Sequence, residues 1–120
     1  MYCRSCRKWF PNNILFCDIC GKPLVKDLDI YGENFFNGDV QAFDYIYQNS
    51  YNWVAGEVRK MFSANSSEVE DCVQEIYLLL YRKIKYYDPR QGSFSAWFNA
   101  LVRNRIYDYG RKLAGNREIL

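Results

Sequence analysis

The chain has no histidine among its 120 residues. With histidine goes the commonest general base. No glycine-rich phosphate loop occurs, and no Ser or Cys nucleophile has a base beside it in the sequence. An enzyme is therefore not expected. Long hydrophobic runs are missing too. The longest, residues 76–81, falls far short of the roughly 20 residues that span a bilayer. Arg, Lys and Cys interrupt every apolar stretch in residues 1–24, so no secretory pattern is present there. These absences lead to the expectation of a cytoplasmic protein with reduced thiols and no membrane partner.

What is present can build a core: 49% of residues are hydrophobic and 18% aromatic. The net charge of +2 conceals a strong segregation. Residues 30–80 carry two Lys/Arg against eight Asp/Glu, and residues 81–120 carry nine against three. An acidic middle and a basic end suggest two surfaces with different partners.

Four of the five cysteines, Cys3, Cys6, Cys17 and Cys20, form two C-x2-C pairs separated by ten residues. Each pair makes a tight knuckle that can present two thiolates to one ion. The insert is long enough for a hairpin that brings the knuckles together, with its turn at Pro11, Asn12 and Asn13. Four thiolates suit one structural zinc ion with no position left for a substrate water. Iron in a rubredoxin-like site is the alternative. A reduced compartment argues against two disulfides, and the lack of a βαβ pattern argues against a redox dithiol. Gly21 gives the second knuckle a permissive backbone, whereas the first has Arg7 in that position. About 25 residues cannot form a core unaided, so the metal would supply the folding energy of this module. Cys72 stands apart and is expected as a buried thiol.

Helical periodicity dominates the rest. Lys26 to Asn37 reads as a connector with one short helix around Asp27–Phe36. A stripe at Val40, Phe43, Tyr47, Val54, Val58 and Phe62 predicts the next helix, and residues 63–67 break it. The SEVE stretch from Ser67 fits a capping box. It opens a helix with Val69, Val73, Ile76, Leu80 and Ile84 buried. Pro89 and Gly92 make residues 88–93 a loop. The last helix starts near Phe94 with Ser93 as its cap, burying Phe94, Trp97 or Phe98, Leu101, Ile106, Tyr109 and Leu113.

Residues 88–112 combine five Arg/Lys and five large aromatics with only two acids. With one stripe buried, Ala100, Arg103, Asn104, Tyr107 and Arg111 share another face of the last helix. Guanidinium forks suit phosphates, and exposed rings suit unstacked bases. Nucleic acid is the favoured partner, with an acidic protein surface as the alternative.

The order Asp71/Gln74/Glu75, Phe94/Trp97, Arg103/Asn104 and Asp108/Arg111 resembles conserved region 2 of sigma-70 family RNA polymerase sigma factors, in the small extracytoplasmic-function form. The stretch beginning at Asn37 resembles the first helix of that region, and the likeness covers roughly residues 37–113. The N-terminal segment separately resembles the short zinc ribbons found at the starts of many bacterial proteins. Together these give a mainly α fold: a small N-terminal four-cysteine zinc ribbon (1–25), a linker (26–36), a three- to four-helix sigma region 2 bundle (37–114) and a C-terminal tail (115–120). The region 2 likeness implies two binding tasks. Asp71, Gln74 and Glu75, with Tyr81 and Arg82 at the edge, would dock on the clamp helices of the largest subunit of core RNA polymerase. The loop, with Arg90, Gln91 and Ser93, would hold a flipped base of the single-stranded minus-ten promoter DNA. Trp97, Asn99, Arg103, Asn104, Tyr107 and Arg111 would face the strand. Trp97 is expected chiefly as a core anchor, and Asp108 as the intrahelical partner of Arg111 or Lys112. Region 4, which reads the minus-thirty-five element in this family, is not found by Leu120. A truncation, a separate region 4-bearing protein or a different role for region 2 would account for that, and an anti-sigma factor is a further potential partner. The expected function is a sigma-like transcription initiation factor that binds core polymerase and melts the minus-ten element. The alternatives are a protein-only regulator built on the same bundle and a nucleic-acid-binding protein that works through its zinc ribbon.

Overall fold

The N-terminal cysteines lie on two short hairpins in the computed structural model, which describes residues 1–11, 13–62 and 66–119. Strand β1 (Tyr2–Cys3) pairs antiparallel with β2 (Lys8–Trp9), placing Tyr2 opposite Trp9. The first knuckle is the turn of that hairpin. The second knuckle reverses the chain in the same way: the Cys17 N–H donates to the Lys22 carbonyl at 2.9 Å and the Leu24 N–H to Leu15 at 3.0 Å. Tyr2 and Val25 exchange both backbone bonds at 2.8 Å, which joins the two hairpins. The expected single hairpin in the insert is thus corrected, since each C-x2-C pair already turns the chain. A bond from the Ile14 N–H to the Pro11 carbonyl closes the insert's own turn at 3.1 Å. Asn12 lies outside the described residues.

The connector is a helix. α1 (Asp27–Phe36) carries Asp27 and Asp29 in its first turn, where carboxylates suit the positive end of the dipole. It buries Asp29, Ile30, Gly32 and Phe35. Gly32 is required by close approach, because a Cβ there would stand 2.0 Å from the Phe94 ring. Gly38, at φ +103°, turns the chain into the next helix.

Helix α2 (Gln41–Met61) buries Ala42, Ile46, Ser50, Val54, Ala55 and Val58. Val54, Val58 and, just past the helix, Phe62 are buried as expected, but the first half of the stripe is offset. Val40 is exposed, while Phe43 and Tyr47 are half-buried against the core edge. The offset stripe passes through Ser50, a residue that reads as polar. Its hydroxyl is satisfied inside, donating to the Ile46 carbonyl at 2.5 Å and meeting the Tyr77 hydroxyl at 2.7 Å.

Helix α3 (Ser66–Lys83) buries Val69, Cys72, Val73, Ile76, Tyr77 and Leu80, and a 3-10 turn at Ile84–Tyr86 follows it. Ser67 already lies within the helix, which starts two residues earlier than the SEVE motif suggests. The break at 63–65 lies outside the described residues. Helix α4 (Phe94–Ile119) runs through the residues expected as a tail. Its core face is Phe94, Phe98, Val102 and Ile106, with Trp97, Leu101 and Tyr109 packed at the margin. The side chains of Lys112 and Leu113 lie outside the described residues.

The bundle core runs from Phe35 through Ile46, Val58, Ile76 and Leu80 to Phe94, Phe98 and Val102. The ribbon has its own small cluster of Cys3, Cys17 and Leu24. It docks on the bundle through stacked rings, Trp9 on Tyr31 at 5.6 Å and Tyr31 on Tyr45 at 5.0 Å. Arg4 bridges to Glu33 of α1 at 2.6 Å, and the terminal amino group pairs with Asp27.

Candidate nucleic-acid interface and metal centre

The loop before α4 is held from several sides. The Asp88 carboxylate accepts the Arg90 N–H at 3.0 Å and its guanidinium Nε at 3.2 Å, while the Gln91 N–H donates to the Asp88 carbonyl at 3.0 Å. The Arg90 guanidinium, with its backbone N–H, holds the Asp88 carboxyl below its ordinary range. Tyr87 is buried edge-on to Phe36 and Phe94, and its hydroxyl donates to the Gly92 carbonyl at 2.9 Å. Burial raises the pKa of that phenol.

The start of α4 is doubly capped. Ser93 accepts the Ala96 N–H at 3.2 Å, as an N-cap should. The buried Asp29 carboxylate accepts both the Ser95 N–H, at 2.7 Å, and the Ser95 hydroxyl, at 2.6 Å. Between the loop and α4 a groove of about 410 Å³ opens, lined by Tyr86, Tyr87, Asp88, Gln91, Ser93 and Trp97. Trp97 packs against Tyr87 at 5.5 Å and Phe94 at 5.9 Å, so one part of the indole anchors the core while another lines the groove.

From the groove, α4 presents Ala100, Arg103, Asn104, Tyr107 and Arg111, all exposed. Among the described residues Arg103 makes no ion pair, and its Nε donates to the half-buried Asn99 at 3.1 Å. Arg111 is tied to Asp108 at 2.6 Å, the intrahelical pair expected for Asp108. Arg90 and Arg111 are therefore each bonded to an acid, and Arg103 is the cation of the expected set left to meet a phosphate.

On α3, Asp71, Gln74, Tyr81 and Arg82 are exposed. Tyr81 leans on Phe35 and Phe43 at 5.8 and 5.7 Å. Glu75 differs from its expected free exposure, because α4 brings Arg105 within 2.9 Å of it. Leu78 stands half-exposed among Asp71, Gln74, Glu75 and Tyr109, at a groove of about 420 Å³. Sequence reasoning missed Leu78 and Tyr86. Leu78 looks like one more residue of an apolar run, and Tyr86 like punctuation between helices.

The four N-terminal sulfurs lie within 4.8 Å of one another. Cys3 and Cys20 Sγ are 3.6 Å apart, and Cys6 and Cys17 Sγ 3.7 Å. Four sulfurs at about 2.3 Å from a tetrahedral ion would sit about 3.8 Å from each other, so the donor set fits one such ion. The knuckles match each other as well. The Arg7 N–H donates to the Cys3 carbonyl at 2.8 Å, and the Gly21 N–H to Cys17 at 2.9 Å. Arg7 and Gly21 both have positive φ, 54° and 74°. Backbone N–H groups point at sulfur in each, Cys6 to Cys3 at 3.3 Å and Ile19 to Cys17 at 3.4 Å. The N–H groups of Cys20 and Ile19 lower the Cys17 thiol to about 7, while the Cys6 thiol, hydrogen-bonded to Cys17, is raised to about 12. Cys72 is buried in the bundle, and burial pushes its thiol up to about 11.

Comparison with known proteins agrees with this geometry. The sigma-70 region 2 family profile matches residues 46–115, more than half of the chain. An ECF RNA polymerase sigma factor SigK of Mycobacterium sp. (strain KMS) is 33% identical over 97 residues, covering 79% of this chain and 50% of that protein. The ECF sigma factor RpoE of Cereibacter sphaeroides is 31% identical over 74 residues, or 62% of this chain and 40% of that one. The chain thus spans about half the length of the curated relatives it matches. An engineered region 2 of sigmaE, solved by NMR in complex with GTAAAA, superposes with a TM-score of 0.62 at 26% identity, covering 78% of this chain and 93% of that one. No helix among the described residues is long and apolar enough to cross a membrane. With the family match running from Ile46 within α2 through α3 and the loop to the exposed face of α4, the chain belongs to the sigma-70 region 2 family and is ECF-like within it.

Proposed function

We propose that the chain acts as a non-catalytic, sigma-like transcription initiation factor that holds one unpaired promoter strand while bound to core RNA polymerase. The observation that carries this reading is the groove beside Trp97 together with the exposed Arg103, Asn104 and Tyr107 farther along the same helix. A flipped base enters the groove, where Gln91 and Asp88 can meet its edge. Its neighbours lie along α4, with Arg103 on a phosphate and Tyr107 offering a ring. The relative solved with GTAAAA supports the same assignment by likeness. Asp71, Gln74 and the half-exposed Leu78 form the polymerase-facing surface, an apolar centre with an acidic rim. The N-terminal cysteines hold one structural zinc, which folds the ribbon and takes no part in chemistry.

The test is co-purification with core RNA polymerase. The wild-type chain is expected to be retained, and Asp71→Lys to be retained less, with the gap widening as ionic strength falls. Equal retention of both at low salt would remove this surface from the interface. Failure of the wild type to bind polymerase at all would contradict the initiation-factor reading.

A further inference from the structure

A second cavity, of about 520 Å³, lies between α3 and α4 and shares Tyr86 and Trp97 with the loop groove. We propose that it is a second nucleobase subsite, which takes an unstacked base adjacent to the one held in the loop groove. This rests on the strand-binding reading above and adds to it a site, its ligand class and the residues that form it.

Tyr86 and Trp97 stand between the two hollows. The Tyr86 ring is 65% exposed, far more than its neighbour Tyr87, which is buried. It is not left loose, because the Lys83 and Lys85 ammonium groups each lie 5.3 Å from its centroid. Cation–π contact on both lysines holds a ring in place and keeps positive charge beside it. Beyond this ridge the cavity has apolar walls from Leu79 and Leu101, with the Asn104 amide and Lys83 at its rim. A flat aromatic ligand with a polar edge and an anionic tether suits that set: apolar walls for its faces, an amide for its edge and ammonium groups for its phosphate. Arg105 also borders the cavity, but its guanidinium is engaged with Glu75 and serves as floor. Asp108, at the same border, is neutralised by Arg111 and does not repel a phosphate. Continuity with the loop groove makes the occupant the next base of the same strand. Two adjacent bases parted by one ridge cannot stay stacked on each other, so a duplex cannot fill both hollows.

The experiment follows backbone amide signals of the full chain by NMR while a single strand containing GTAAAA is added. Shifts are expected both at Gln91, Gly92 and Ser93 of the loop groove and at Leu79, Lys83 and Leu101 of the second cavity. In a parallel binding titration, Lys83→Ala, which removes a side chain that lines the second cavity and not the loop groove, should weaken the strand roughly threefold. Lys83 is exposed, so the change should not unfold the bundle. Shifts confined to the loop set, or unchanged affinity of Lys83→Ala, would overturn the second subsite and leave strand binding standing. Shifts in neither set would overturn both.

Discussion

At the scale of single residues, four positions, in two pairs, separate what the backbone needs from what it tolerates. Arg7 occupies the left-handed region at φ 54°, where its knuckle twin has Gly21. A side chain there costs on the order of 1–2 kcal/mol, so Arg7→Gly should stabilise the ribbon by about 1 kcal/mol. The gain should show as slower loss of metal to a competing chelator. Gly32 and Gly56 make the opposite pair. A Cβ at Gly32 collides with the Phe94 ring, whereas one at Gly56 meets nothing within 4 Å. Gly32→Ala should destabilise the bundle by about 1–3 kcal/mol. Gly56→Ala, in mid-helix, should stabilise it by about 0.5–1 kcal/mol. Urea unfolding of the two variants, followed by circular dichroism, checks both signs. The need at Gly32 could not be read beforehand, because it arises from an α4 ring reaching across to α1.

At the scale of elements, periodicity explains which parts were legible. The α3 stripe follows expectation at Val69, Val73, Ile76 and Leu80, all apolar at helical spacing, whereas Ile84 falls half-buried in the 3-10 turn beyond the helix. The α2 stripe departs from expectation only in its first half, where the core line runs through Ala42 and Ser50, a small and a polar residue, the latter satisfied by the Tyr77 hydroxyl opposite; Val54, Val58 and Phe62 follow the expected spacing. The exposed α4 face was legible, since fixing the buried side of a helix fixes the other. The partners of Arg90 and Glu75 were not, because one depends on a turn and the other on how α3 meets α4. Helix α1 reads as a linker because two of its buried positions are Asp29 and Gly32. It joins the ribbon to the loop before α4: it meets Arg4 and Trp9 on one side and the first turn of α4 on the other. Asp29→Ala removes two hydrogen bonds from a carboxylate to the α4 terminus, and should cost about 2–3 kcal/mol in urea unfolding. Metal analysis should find one zinc per chain, retained by Cys72→Ala because Cys72 lies inside the bundle. A chelator should unfold residues 1–25 and free Trp9 from Tyr31, seen in tryptophan fluorescence, while the far-ultraviolet helical signal persists. Zinc lost from Cys72→Ala, or helices lost with the metal, would contradict this division.

At the scale of the whole molecule, the charge segregation resolves into two faces of one bundle. The acidic one centres on Asp71 and Leu78 of α3, and the basic one on Arg103 of α4. The central claim is that the basic face and its groove hold an unpaired strand. Fluorescence anisotropy in the presence of core polymerase, at two salt concentrations, compares a labelled single strand containing GTAAAA with the same sequence as a duplex. An unstacked base offers its face and edge, which a duplex hides, so the single strand should bind more tightly. Arg103→Ala should weaken binding and reduce the salt slope by roughly one, as loss of one phosphate contact requires. Equal affinity for strand and duplex, unchanged in Arg103→Ala, would contradict the account.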